Sequence, residues 1–166
     1  MNNIINTAQK DDIPSRIKQL KQLMHREGIS IYMVMDSDPH NSEYVGDHFK
    51  CRRFMSGFTG SNGTLIVTED EACLWTDGRY FIQADRELDG SGIRLCKMGE
   101  PNVPTIDEYL RTTLRSGDVL GFDGRCMRAK DGIDYAEIAK GRGALVNSSV
   151  DLVSEIWTDH RPRMSM

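Results

Sequence analysis

The sequence predicts an α/β domain built on a mixed sheet of about six strands, flanked by helices on both faces. Three observations carry that prediction. Strand-length apolar runs alternate with segments of helical period along the chain. The run SIYMVMD (30–36) is apolar without alternation, as expected of a strand covered on both faces. Two β-rich runs, GTLIVT (63–68) and ACLWTD (72–77), are separated only by Glu69-Asp70-Glu71, a hairpin signature that adds an antiparallel pair.

The elements follow in order. Ile17, Leu20, Leu23 and Met24 recur at helical spacing between Ser15, a good N-cap, and Gly28, a good stop. The 30–36 strand comes next. PHNSEYVGDHFKCRRFMSGF (39–58) mixes turn formers and aromatics without a period, and predicts an irregular surface segment with about one helical turn. After the hairpin, Tyr80, Ala84 and Leu88, with Phe81 beside them, fall on one helical face. IRLCKM (93–98) reads as a strand, and 105–114 as a helix capped by Thr105 with Glu108 at the capping-box position. DVLGFD (118–123) is a strand, and 129–141 is helical although Gly132 interrupts it. ALVNSS (144–149) is the last strand and DLVSEIW (151–157) a short helix. Residues 1–157 therefore read as a single domain, and the polar 158–166 as the start of a linker.

At 166 residues and 39% hydrophobic content, the chain can bury one core. A net charge of −4 supplies no basic footprint for nucleic acid or an anionic membrane surface. No apolar run reaches about 18 residues, so no transmembrane helix is expected, and the N-terminus lacks the pattern of a signal peptide. The four irregularly spaced cysteines form no CxxC pair, which points to reduced thiols in a cytoplasmic protein.

Candidate sites each have an ordinary alternative. The glycines of GFTGSNGT (57–64) suit an anion-cradling loop, but no P-loop lysine follows and a strand replaces the expected helix. The simpler reading is a turn in which Gly60 and Gly63 supply positive φ. His40 stands near Glu43, yet no HExxH or paired ligand set exists, so no metal is expected. Cys73 lies inside a strand, as a small buried hydrophobe would. Arg79 follows Asp77-Gly78 where a strand gives way to a helix, a place where α/β folds gather ligand contacts. It is either a recognition arginine or the ion-pair partner of a nearby acid such as Asp77. Arg52 and Arg53 are an anion-binding pair or simply solvated.

Taken together, Arg53, SGFTGSNGT (56–64), LWTDGRYFIQA (74–84) and KMG (97–99) resemble the N-terminal domain of Xaa-Pro aminopeptidases. DPHNSEY (38–44), CRRF (51–54) and DLVSEIWTDHRP (151–162) extend the resemblance to the three-domain cytosolic type, with His160 as an insertion. The resemblance implies a creatinase-type N-terminal fold with a mixed sheet of about six strands. It also implies a parent enzyme that removes the N-terminal residue from peptides with proline in second position. The chemistry would lie in a separate C-terminal domain holding two divalent metals, usually manganese, so this chain alone is expected to be inactive. It would shape substrate access, with Arg79, His40 and Tyr80 as the access candidates and Gly57, Gly60, Gly63, Asp77 and Gly78 as turn residues. A homodimer is expected of the full-length enzyme and a monomer of this domain. The competing implication is a peptide- or protein-binding module of a catalytically inactive, histone-chaperone-like relative.

Overall fold

The computed structural model describes residues 2–36 and 45–164. Its helices are α1 (Asn2–Glu27), α2 (Cys51–Ser56), α3 (Phe81–Leu88), α4 (Ile106–Thr113), α5 (Ala129–Gly141) and α6 (Val153–Ile156). Its strands are β1 (Ile31–Met35), β2 (Thr64–Thr68), β3 (Ala72–Thr76), β4 (Arg94–Lys97), β5 (Val119–Gly121) and β6 (Leu145–Asn147). They form one sheet in the order β4-β3-β2-β1-β5-β6. β2 runs antiparallel to both its neighbours, and every other adjacent pair is parallel. The predicted hairpin is thus in the interior of the sheet.

Side-chain alternation divides the core between the two faces. On one face Tyr32, Val34, Leu65, Val67 and Leu74 pack with Ile17, Leu20 and Met24 of α1, Met55 of α2, Ala84 and Leu88 of α3, and Val153 of α6. On the other, Ile31, Met33, Ile66, Cys73 and Trp75 pack with Tyr109 and Leu110 of α4 and Ile138 and Ala139 of α5. The register Leu65↔Leu74 and Ile66↔Cys73 keeps the two sets apart, since a one-residue slip would exchange them. The polar atoms that Tyr32 and Trp75 carry inward are satisfied. Tyr32 Oη donates to Val150 O (2.7 Å) and accepts from Leu152 N (3.1 Å), and Trp75 Nε1 donates to Pro104 O (2.9 Å). Thr105 Oγ1 accepts from Glu108 N at 3.1 Å, giving the predicted cap of α4. All four cysteines are free and buried.

Three expectations are corrected. α1 continues through Pro14, so Ser15 is an internal residue that accepts from Gln19 Nε2 (3.3 Å), not the cap. The 45–58 stretch is no loose surface loop: a 3₁₀ turn (Asp47–Phe49) leads into α2, where Cys51, Arg52, Met55 and Ser56 are buried. The polar tail packs back on the domain. Arg161 donates from Nε and Nη2 to His48 O (3.1 and 2.9 Å), and His48 Nδ1 donates to Pro162 O (2.8 Å). The Arg161 guanidinium lies over the Trp157 ring (4.9 Å), which stacks on Phe54 (4.6 Å), which in turn carries Arg16 (3.9 Å). Planar cations and rings that share faces give a polar segment a packing surface that periodicity does not reveal.

Leu74 is fully buried at the centre of the sheet. Leu74→Ala should destabilise the domain by about 2–5 kcal/mol, measured by denaturant unfolding; a loss below about half a kcal/mol would contradict this placement.

Candidate functional site

Parallel strands β1, β3 and β5 bring their carboxyl ends to one edge of the sheet, and each is followed by an aspartate paired with an arginine. The pairs are Asp36–Arg52 (3.0 Å), Asp77–Arg79 (2.9 Å) and Asp123–Arg125 (2.9 Å). The edge beyond the carboxyl ends of the strands is where open α/β sheets bind ligands. The recurrence of an apolar run ending in Asp, with Asp-Gly-Arg occurring twice, is legible in the sequence and was overlooked there.

The first pair is buried, with the Arg52 side chain 2% exposed and Asp36 11%. Asp36 Oδ1 accepts the backbone N–H groups of Arg52 (2.8 Å) and Arg53 (3.1 Å), so a side chain from β1 caps the start of α2. Arg52 then reaches the glycine-rich loop, donating from Nη1 to Gly63 O (3.1 Å) and from Nη2 to Gly60 O. Arg52 is therefore neither a solvated residue nor an anion receptor; both its terminal nitrogens are committed to the loop and to Asp36. The glycines are also reassigned. Gly57 (φ 76°) is the left-handed cap of α2, but Gly60 and Gly63 do not have positive φ. They are required by space: a Cβ on Gly60 would overlap the Phe58 ring, and one on Gly63 would press on Arg52 Nη1 and Trp75 O at 3.2 Å.

The loop so held meets the turn after β3. Arg79 donates its backbone N–H and Nε to Asp77 Oδ1 (3.0 and 2.9 Å) and Nη2 to Oδ2 (3.0 Å). Asn62 Nδ2 donates to the same Oδ2 at 2.6 Å, and Thr76 Oγ1 fixes Asn62 by donating to its carbonyl (2.6 Å). The Tyr80 and Ser61 hydroxyls lie 2.5 Å apart, and the Tyr80 ring packs edge-on against Phe58. On the far side of the loop, Glu87 of α3 accepts from Thr59 N and Oγ1 (3.2 and 2.9 Å). The sequence motifs 56–64 and 74–84 are thus two halves of one surface.

The structure shows the ion-pair reading of Arg79. It pairs with Asp77, and its side chain remains 69% exposed, with Nη1 making no protein hydrogen bond among the described residues. Arg125 repeats the same Asp-Gly-Arg geometry, with N and Nε on Asp123 Oδ1 (3.0 Å each), but its Nη2 also reaches Asp151 Oδ2 at 3.0 Å. Among the described residues two carboxylates hold Arg125 and one holds Arg79, so of the two Arg79 has the fewer partners. The Arg79 guanidinium first, and then the Asn62 amide, hold the Asp77 carboxyl well below the usual carboxylate range. The predicted candidate His40 lies outside the described residues. Among the described residues no group of three His, Cys, Asp or Glu side chains could hold a metal ion.

The sequence matches the creatinase/prolidase N-terminal domain family over residues 16–154. It is 39% identical over 155 residues to aminopeptidase P2 of Arabidopsis thaliana, covering 91% of this chain and 22% of that protein. It is 37% identical over 160 residues to the Xaa-Pro aminopeptidase app-1 of Caenorhabditis elegans, covering 90% and 26%. Among solved structures, the X-prolyl aminopeptidase of C. elegans, described as a cytosolic enzyme with a di-nuclear active site, matches with a TM-score of 0.82 at 37% identity. That match covers 91% of this chain and 26% of the nematode chain. The N-terminal domain of the cytoplasmic peptidase PepQ from Mycobacterium tuberculosis H37Rv shares the fold, with a TM-score of 0.59 at 24% identity over 86% of this chain and 98% of that one. The chain belongs to the creatinase/prolidase N-terminal domain family, and it spans about a quarter of the length of the curated relatives it matches.

Two outcomes follow from the geometry. Arg52→Leu removes one partner of a buried ion pair and should destabilise the domain by about 3–5 kcal/mol, measured by denaturant unfolding. The second concerns Asp77. Because its folded-state pKa is depressed, its contribution to stability is present above the unfolded value of about 3.9 and is lost only as pH falls through the lower folded value. Carboxyl ¹³C NMR should find Asp77 still ionised at about pH 3, where a free aspartate is largely protonated, and Arg79→Ala should move its midpoint up towards the usual range.

Proposed function

We propose that this creatinase/prolidase N-terminal domain forms the substrate-access wall of a cytoplasmic Xaa-Pro aminopeptidase, an enzyme that removes the N-terminal residue from peptides with proline in second position. The observation that carries this reading is Arg79: among the described residues its guanidinium is held on one side by Asp77 while Nη1 makes no hydrogen bond, at the edge where the parallel strands end. Arginine stays protonated, so its part is to orient rather than to transfer a proton. A planar fork with a free Nη1 edge suits a peptide carbonyl or carboxylate. Tyr80, fixed through Ser61, adds a hydroxyl beside it. The names of the relatives, which are aminopeptidases, favour the peptidase over a non-catalytic peptide-binding module.

The described residues offer no ligand set for a metal pair. In this reading two divalent ions, manganese by preference, reside in a separate catalytic domain of the parent enzyme, which forms the homodimer contacts. The chemistry such ions would supply when bound there is activation of a water and polarisation of the scissile carbonyl. This domain contributes a wall that narrows the entrance and a cation that holds the peptide in register, which turns a general amide hydrolase towards short peptides.

In the full-length protein, Arg79→Ala should lower kcat/KM for an Xaa-Pro peptide roughly ten- to a hundredfold, the loss of one charge-assisted hydrogen bond. Bound metal, measured by elemental analysis, should be unchanged. A fully active Arg79→Ala enzyme would make the pairing with Asp77 purely structural and sink the proposal.

A further inference from the structure

We infer that Asn62 is a positioning residue for Arg79: its amide fixes Asp77 so that the Arg79 fork is held with its Nη1 edge outward. The inference rests on the reading of Arg79 given above, and it is carried by a comparison within the chain. The turns Asp77-Gly78-Arg79 and Asp123-Gly124-Arg125 are locally the same, each a 3₁₀ turn whose aspartate accepts from the backbone N–H of its arginine. In both, Nε binds Oδ1 and Nη2 binds Oδ2. The local turn chemistry therefore does not distinguish the two arginines. What differs is the neighbour at Oδ2.

At Asp123 that neighbour is the weak donor Cys126 Sγ, at 3.7 Å, and Arg125 leans across to Asp151. At Asp77 it is the Asn62 amide at 2.6 Å, and no second acid engages Arg79 among the described residues. Asn62 can act this way because it is itself anchored. Its carbonyl accepts from Thr76 Oγ1, and the carbonyls on either side of it in the loop, Gly60 O and Gly63 O, accept from buried Arg52. An aspartate held at both oxygens has one orientation, and a guanidinium bound to both those oxygens inherits it. The chain of contacts runs Asp36–Arg52–loop–Asn62–Asp77–Arg79, from a buried strand end to the exposed cation.

The test compares wild type with Asn62→Ala and, as a second variant, Asn62→Ser in this chain. It reads the Arg79 Nε–H exchange rate and the Asp77 carboxyl titration by NMR. Asn62 is exposed, so the melting temperature should stay near wild type. Expected is roughly fivefold faster Nε–H exchange, as for one lost hydrogen bond, together with an upward shift of the Asp77 midpoint. Unchanged exchange and an unchanged midpoint in both variants would overturn the inference, as would a global loss of structure that accounts for both changes. The same substitutions in the full-length protein separate this inference from the proposed function. If the NMR signals move as expected while neither Asn62→Ala nor Arg79→Ala alters kcat/KM, the positioning stands and the peptidase reading of Arg79 fails. If Arg79→Ala lowers kcat/KM while Asn62→Ala moves neither signal nor turnover, the peptidase reading stands and Asn62 has no positioning role.

Discussion

The buried Asp36–Arg52 pair is the interaction on which the functional edge of this domain depends. Taking both charges out of water is costly: burial pushes the Asp36 carboxyl up and the Arg52 guanidinium down, and each is opposed by the other's charge. The arrangement is stable because nearly every polar atom is used. Asp36 caps α2 through two backbone N–H groups, and Arg52 spends both its terminal nitrogens on loop carbonyls and Asp36, leaving Nε as the one buried side-chain atom without a partner among the described residues. Apolar residues of similar volume would fill the same space. They would not specify where the carbonyls of Gly60 and Gly63 sit, and those carbonyls set the course of the loop.

From this point the edge is graded from interior to surface. Asp36–Arg52 is buried and structural. Asp123–Arg125 is bridged to Asp151, whose carboxylate also accepts from Ser154 N at 3.1 Å, and so ties the end of β5 to α6. Asp77–Arg79 is the pair whose arginine, 69% exposed, meets a single carboxylate among the described residues. One piece of chemistry, an aspartate at the end of a parallel strand, serves packing, inter-element linkage and, in the proposed reading, recognition. Which role it takes is set by how many other groups compete for the arginine.

Much of this was readable from residues. The hairpin could be placed because β-rich runs flank a three-residue acidic turn, and Leu65, Ile66, Val67 and Leu74 within it are all fully buried. The described part of the unpatterned stretch, 45–58, and the polar tail pack in ways their sequences did not show, for a common reason. Their packing uses ring faces, guanidinium planes and a buried ion pair between residues 16 positions apart, and none of these has a period. Gly60 and Gly63 were assigned to turns on the ordinary ground of positive φ. Their actual requirement is for room beside Phe58 and Arg52, which no local rule could supply.

By itself the sequence determined the α/β class, the order of strands and helices along the chain, and the existence of the hairpin, because these follow from period and turn chemistry within short windows. It also marked Arg79, through its place just after a strand and before a helix. The tertiary structure alone decided that β1, β3 and β5 deliver three aspartates to one edge, that Arg52 is buried and Arg79 is not, and that Asn62 stands between them. These depend on strand order and on the competition of several donors for the same carboxylate oxygens. Such a competition exists only once the chain has brought its partners together.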